Sequence, residues 1–215
     1  MHEHRRIPRL VVAAALSVAA PRLYAQLGRV RPFDDARRDP ALVGFRARLL
    51  ASVQARDTQA VLASVAPGVS LGFGGDSGVA EFARMLREPA TWDELRDILT
   101  HGGRLVSDST FCAPYWTSSG PLPGDGFELS VVIGSSVRVR ERPDARASII
   151  ASLSYDIVRI DRKPSAGASG WSPVLLRDGR HGFVAAQFVR SPIGMRLVLS
   201  RRVGQWRITA YYGGD

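Results

Sequence analysis

The sequence has very little lysine, cysteine or histidine among its 215 residues. Lys163 is the only lysine, so arginine supplies nearly all of the positive charge, and the formal net charge is +9. Cys112 is the only cysteine, which excludes an intramolecular disulfide, and its apolar neighbours predict a buried, inert thiol. His101 and His181 lie in no cluster of residues at metal-ligand spacing. The sequence therefore predicts no metal site and no cofactor.

Long hydrophobic runs are also scarce. The longest, Leu10–Ala20, has 11 residues and is too short to span a membrane as a helix. An arginine-rich segment precedes it, and a candidate cleavage site at Leu23-Tyr24-Ala25 follows. We therefore expect residues 1–25 to be a signal peptide, residues 26–39 to be a flexible leader, and the protein to be exported to the periplasm or secreted.

Residues 40–126 show helical patterns interrupted by short apolar segments, which predicts a helical α/β region. Asp39-Pro40 is typical of a helix start, with Asp39 as the N-cap. Thr91 and Glu94 have the spacing of a capping box, which predicts a later helix beginning near Trp92. The Ser/Pro/Gly-rich residues 118–126 are the predicted domain boundary.

A glycine-rich loop, Gly72–Gly78, lies inside this region and leads into a predicted helix. Successive backbone N–H groups before a helix can bind an anion, so Gly74, Gly75 and Ser77 form a candidate anion loop. The loop lacks the Lys-Ser/Thr end of a nucleotide-binding P-loop. The alternative is a tight turn in which Asp76 or Ser77 caps the helix.

Residues 129–190 contain short alternating strands and turn signals, without a helical period. Asp178-Gly179 is a strong hairpin signal within them. The ordered residues resemble the bacterial SH3 domain family, and the resemblance is carried by Val137-x-Val139-Arg140-x-x-Pro143, Gly170-Trp171, Asp178-Gly179-Arg180-x-Gly182-Phe183-Val184 and Gln187-Phe188-Val189. The sequence departs from the family at Arg142, where a glycine is common.

The resemblance implies a small antiparallel barrel that binds ligands in an aromatic-lined groove. It indicates Arg140, Arg142, Tyr155 and Trp171 as ligand-binding residues. The alternatives are that Trp171 belongs to the core and that the arginines form a solvated face.

Residues 191–215 contain two further alternating segments around Val203-Gly204, which predict a C-terminal β-hairpin. An SH3 barrel needs only about five strands, so we expect this hairpin to pack on the helical region. The predicted fold class is α+β: a small SH3-like antiparallel β-barrel joined to a helical α/β region, with that hairpin completing the latter.

Three functions follow from these patterns. The first is a non-catalytic binding protein of the cell envelope that recognises peptidoglycan or a peptide segment of an envelope protein, with no nucleic-acid partner. The second is a cell-wall hydrolase or small-ligand enzyme with its site in residues 40–126, near His101 and Cys112. No nucleophile motif supports that alternative, and no catalytic residue is predicted. The third is an assembly role in which strand edges pair with a partner chain.

Overall fold

The computed structural model describes residues 27–72, 74–161 and 169–214. The predicted signal peptide, Gln26 at its cleavage site, Phe73 of the glycine-rich loop and most of the loop after Ile160 lie outside these ranges. In the described ranges, no helix combines the length and apolarity needed to cross a membrane.

The described residues form four α-helices and two sheets. The helices are α1 Pro40–Gln54, α2 Thr58–Ala63, α3 Val79–Met85 and α4 Pro89–Thr100. The strands of the first sheet are β1 Val65–Ser70, β2 Arg104–Ser107, β3 Thr110–Ala113, β11 Arg196–Arg202 and β12 Gln205–Tyr212. The strands of the second sheet are β4 Leu129–Val132, β5 Val137–Arg140, β6 Ile149–Leu153, β7 Ile157–Ile160, β8 Trp171–Leu175, β9 His181–Ala185 and β10 Val189–Arg190.

The first sheet has the order β1-β12-β11-β3-β2. β1 runs parallel to β12, and the other neighbours are antiparallel. All four helices share a core with this sheet, in which Leu42, Phe82 and Ile98 from helices meet Leu197 and Ile208 from strands. The burial of these side chains away from water is the main force that holds the helices on the sheet.

The C-terminal hairpin lies at the centre of the first sheet. β11 pairs with β3, placing Leu197 opposite Ala113, while β12 pairs with β1 on the other side. The turn between the strands has two residues, Val203 and Gly204, both with positive φ. The chain therefore leaves the helical layer after β3, forms the second sheet, and returns to complete the first.

The second sheet has seven antiparallel strands in the order β10-β4-β7-β8-β9-β5-β6. No pairing between the end strands β10 and β6 occurs in the described residues, so the sheet is open. The predicted fold class, an SH3-like barrel joined to a helical region, is therefore wrong: the structure has two large, mostly antiparallel sheets with few helices. The sequence signals located individual strands, but closure depends on pairing between residues that are far apart in the chain.

Two expected helix N-caps differ from the structure. α4 begins at Pro89, three residues before the predicted start, because proline is favoured in the first helical turn. Thr91 therefore lies inside the helix and does not form the expected capping box. Gly78, with φ +98°, occupies the N-cap of α3, and no side chain caps that helix.

Candidate functional site

A cleft of about 410 Å³ opens on the second sheet, within the roughly 300–1,000 Å³ range of small-ligand sites. Its walls come from the end of β6, the beginning of β7, the turn after β8 and the N-terminal residues 27 and 29. Apolar side chains such as Leu27, Leu153, Ile157 and Leu175 form part of the lining. The polar part consists mainly of arginine.

Asp156 organises the polar part of this cleft. Its Oδ1 accepts hydrogen bonds from Arg29 Nε at 3.1 Å and from Arg177 Nη2 at 3.5 Å, and its Oδ2 accepts from Ser154 N at 2.6 Å. The Asp156 side chain is only 7% exposed, whereas those of Arg29 and Arg177 are 52% and 43% exposed. The buried carboxylate thus holds two guanidinium groups at the cleft surface.

Local backbone geometry positions these groups. Tyr155, with φ +59°, turns the chain between β6 and β7, and its N–H donates to Gly134 O at 2.9 Å. Its carbonyl accepts from Val30 N at 2.8 Å, which holds the N-terminal segment beside the turn and brings Arg29 to Asp156. Arg29 and Asp156 form an isolated antiparallel bridge at that point.

The turn after β8 supplies the opposite wall. Gly179 has φ +84°, a conformation that glycine adopts without steric cost, and Asp178 Oδ1 accepts from Arg180 N at 3.0 Å. The predicted Asp178-Gly179 hairpin turn is confirmed. It places Arg177 and Arg180 on the cleft.

The lining carries a net positive charge. Four arginines and two aspartates belong to it, giving +2: Arg29, Arg159, Arg177, Arg180, Asp156 and Asp178. Arg159 Nη1 also contacts Glu128 Oε2, outside the lining, at 3.0 Å. Partly exposed guanidinium groups beside an apolar floor can bind a carboxylate whose neighbouring groups are apolar. Because both Asp156 oxygens accept hydrogen bonds, its carboxylate serves to position the arginines.

Two of the predicted ligand-binding residues meet at a different place. Arg140 and Trp171 both line a smaller pocket of about 310 Å³, together with Arg138 and Phe188. Arg140 Nη1 donates to Ala147 O at 2.6 Å, which uses part of its guanidinium within the protein. Trp171 is half-buried on β8, opposite Ala185 of β9, so it lies at the edge of the core.

The other two predicted residues, Tyr155 and Arg142, line neither of these two pockets. Arg142 is exposed in the turn after β5, where its carbonyl accepts from Asp144 N at 2.7 Å. Tyr155 contributes to the cleft through its backbone turn alone. The structure therefore does not bring the four predicted residues together.

The end of the glycine-rich loop lies beside β1 and is hydrogen-bonded to it. Ser77 bridges to Ser70, and Gly78 N donates to Val69 O at 2.9 Å, so this N–H already has a partner. Gly74 and Gly75 are exposed, and Gly75 has φ +91°. The helix that follows, α3, has only seven residues. These features are those of a tight turn.

The residues of the enzyme alternative have other roles. Burial raises the pKa of the Cys112 thiol, an effect that nearby Arg196 only partly opposes, so the unreactive thiol form is favoured. The His101 ring packs edge-on against Trp116 with centroids 4.9 Å apart, and its Nδ1 lies 2.6 Å from Asp97 O. His181 is an exposed β9 residue whose Nδ1 contacts Asp161. Within the described ranges, no three His, Cys, Asp or Glu residues could together hold a metal ion.

The sequence patterns do not identify the residues that form the larger cleft. Arg29 lies in the predicted flexible leader, and no pattern assigns a role to Asp156, Arg159 or Arg177. Asp156 interrupts the apolar residues around β7, and a carboxylate at such a position is a signal for buried pairing. Its partners could not be identified, because Arg29 lies 127 residues away in the chain.

Comparison with known proteins adds no functional assignment. No protein-family model and no curated protein matches the chain. A candidate ketosteroid isomerase from Shewanella frigidimarina shows 12% identity over 82% of this chain and 96% of that chain, with a TM-score of 0.31. A cystatin-like protein of unknown function from Nostoc punctiforme shows 13% identity over 80% and 86%, with a TM-score of 0.26. An NTF2-like protein of unknown function from Pseudomonas putida shows 12% identity over 84% and 87%, with a TM-score of 0.27.

The predicted membership of the bacterial SH3 family is wrong. No family model matches the chain, and the seven-stranded sheet is open in the described residues, with no pairing between its end strands. The ligand preferences that the resemblance implied, including peptidoglycan binding by an SH3 barrel, lose their basis with it. With TM-scores below 0.5, the solved structures give this chain no function of their own.

Proposed function

We propose that this chain is an exported, non-catalytic binding protein of the cell envelope that holds an acidic peptide segment of another envelope protein in the arginine-lined cleft. The observation that carries the proposal is the arrangement around Asp156, in which a buried carboxylate fixes Arg29 and Arg177 beside an apolar floor. Guanidinium groups bind carboxylates through charge-assisted hydrogen bonds, which are stronger than neutral ones.

The chemistry of the cleft supports binding over catalysis. Asp156 is fully engaged, while Asp178 accepts from Arg180 Nε at 2.8 Å and from Arg180 N. These contacts lower the pKa of Asp178, the backbone hydrogen bond having the largest effect, so the carboxylate is a weak base. Export is supported by the sequence of residues 1–25, with its arginine-rich start and short apolar run.

The test measures binding of the acetylated peptide Glu-Val-Glu-Val-Glu-Val to the full-length chain by isothermal titration calorimetry. Charge-assisted hydrogen bonds contribute about 1.5–3 kcal/mol each, so we expect the double substitution Arg159→Gln with Arg177→Gln to weaken binding by about tenfold or more. Binding should also weaken as salt rises from 50 to 300 mM, because salt screens exposed charges.

The matched control is Arg87→Gln, which removes an exposed arginine from the connection between α3 and α4. It changes the net charge in the same direction and should leave binding within about twofold. Weakening by Arg87→Gln as large as that by the double substitution, or no binding at 50 mM salt, would contradict the proposal. Sedimentation with purified peptidoglycan runs in parallel, and binding there without peptide binding would replace the peptide partner with the wall polymer.

A further inference from the structure

The strand beside the cleft, β6, is the last strand of its sheet. It pairs with β5 on one side only, with Ala151 opposite Val139 and Ser152 opposite Arg138. Across the described residues, no strand pairs with its other side. An open strand edge of this kind is a template for pairing with another chain.

The backbone groups of β6 that point away from β5 can be identified from their contacts. The carbonyl of Ile150 accepts from Arg180 Nη1 at 3.2 Å, and the N–H of Ser154 donates to Asp156 Oδ2 at 2.6 Å. Both partners lie on the cleft side. Ser154 directly follows β6, and the pairing with β5 is regular from Leu153 to Ala151, whereas the register shifts at Ile150. Since successive residues of a regular strand alternate their backbone direction, Ser152 presents its N–H and carbonyl to the same side as the Ser154 N–H, which is the cleft side.

The arginines across the cleft from β6 favour acidic side chains on a strand that pairs with this edge. Arg29, Arg159 and Arg177 line the cleft, and their side chains are partly exposed there. The side chains of an added strand alternate between its two faces, so one row would meet these arginines. Carboxylates in that row complement the positive charge.

From this geometry we propose that the bound peptide is extended and adds a strand to the open edge of β6, with every second side chain a carboxylate directed at the arginines. The proposal rests on the proposed function, because it specifies how the acidic peptide is held. Backbone hydrogen bonds to the β6 edge supply affinity, and the arginines select acidic residues.

The test uses three acetylated hexapeptides of sequence Glu-Val-Glu-Val-Glu-Val. One is unmodified, one is N-methylated at its three glutamates, and one is N-methylated at its three valines. An added strand directs only alternate amides to its neighbour, so methylation removes the hydrogen bonds in one peptide and spares them in the other. With the full-length chain, we expect one methylated peptide to bind at least tenfold more weakly than the unmodified one and the other within about twofold.

The outcomes separate this inference from the proposed function. If both methylated peptides bind like the unmodified one, or both weaken equally, strand addition is overturned while acidic-peptide binding stands. If the unmodified peptide fails to bind, both are overturned.

A second measurement acts on the protein. Ser152→Pro removes the N–H that faces the cleft and leaves the pairing with β5 in place, since proline is tolerated on edge strands whose N–H faces outward. We expect the variant to keep its unfolding temperature within a few degrees and to bind the unmodified peptide at least fivefold more weakly. A folded variant with unchanged affinity would overturn strand addition.

Discussion

Arg190 Nε donates a hydrogen bond to Asp97 Oδ2 at 3.0 Å, joining the end strand β10 of the second sheet to helix α4 of the first layer. The side chains are 28% and 24% exposed, so the pair is only partly screened by water. Arg190 also donates through Nη1 to the carbonyls of Val189 and Ala186, which fixes its guanidinium toward α4. The ion pair is therefore one of the contacts that set the two sheets relative to each other.

Arg190→Gln should destabilise the chain by about 1 kcal/mol, because it removes the charge from a partly buried hydrogen-bonded pair. Equilibrium unfolding in urea measures the change. Asp97→Asn should cost a similar amount, and the double variant should cost less than the two single changes combined, since both remove one interaction. Strict additivity in this cycle would show that the two residues are not coupled.

Glu94, one turn before Asp97 on α4, gives a prediction about pH. Burial raises the pKa of Glu94, Asp97 raises it further, and Arg190 opposes both. Because the folded state then holds the proton more tightly than the unfolded state, Glu94 favours folding below about pH 4.3 and loses that contribution as pH rises through its folded pKa. The unfolding free energy of the wild type, relative to Glu94→Gln, should therefore fall between pH 4 and pH 7.

Glu81 provides the opposite case. Its hydrogen bonds with Arg84 are the main cause of a lowered pKa. Its contribution to stability is present above the unfolded pKa and is lost as pH falls through the folded one. The stability of the wild type relative to Glu81→Gln should therefore rise with pH. This rise should occur mainly below about pH 4.3, the usual pKa of a free glutamate. Chemical unfolding checks the two signs when Glu94→Gln is compared with the wild type between about pH 4 and pH 7, and Glu81→Gln below about pH 5. Slopes of the same sign would contradict the assignments.

Gly103 and Gly68 offer a steric prediction with a built-in control. A Cβ at Gly103 would lie 2.1 Å from the carbonyl oxygen of Cys112, whereas none of the described atoms lies within 4 Å of one at Gly68. Gly103→Ala should therefore destabilise the chain by about 1–3 kcal/mol or more, because backbone must move. Gly68→Ala should change stability by less than about 0.5 kcal/mol. Thermal unfolding distinguishes them, and similar melting temperatures would show that the connection before β2 adapts freely.

Local signals in the sequence predicted the features that depend on local physics. Asp39 caps α1 as expected, its carboxylate accepting from Ala41 N at 2.9 Å and from Leu42 N at 3.1 Å. The alternating residues and the turn between them correctly predict the β11–β12 hairpin. The helix start predicted from Thr91 and Glu94 failed because Pro89 supplied a stronger local signal.

The arrangement of the second sheet and the larger cleft could not be derived in this way. The cleft depends on the contact between Arg29 and Asp156, which lie 127 residues apart in the chain. The open edge depends on β6 being the end strand of its sheet. Neither property is encoded in a short window of sequence. The residues that resemble the SH3 family lie in ordinary strands and turns. They therefore indicate where strands occur, but they do not determine whether the sheet closes into a barrel.

Val203 occupies a backbone conformation that its side chain disfavours. It has φ +48° in the two-residue turn between β11 and β12, where asparagine is strongly preferred and a β-branched residue is strained. Its side chain is fully exposed, so no packing is lost on substitution. Val203→Asn should therefore stabilise the chain by about 1 kcal/mol, measured by urea unfolding.

The control is Val106→Asn, which places the same change at an exposed strand residue of β2 without positive φ. That variant should be neutral or slightly destabilised, because asparagine is unfavourable in strands. A gain at both positions would indicate a general effect of polarity at the surface.

Asp156 gives the last prediction, because its two oxygens have separable roles. Asp156→Ala removes the acceptor for Ser154 N and leaves that N–H, Arg29 and Arg177 without their shared partner. We expect a loss of about 2–3 kcal/mol, since a part-buried donor would be left unsatisfied. Asp156→Asn keeps one carbonyl oxygen, which can still accept from Ser154 N, and should cost about 1 kcal/mol. Urea unfolding of the two variants measures the difference. If asparagine destabilises as much as alanine, the arginine contacts, rather than the turn, dominate the contribution of Asp156 to folding.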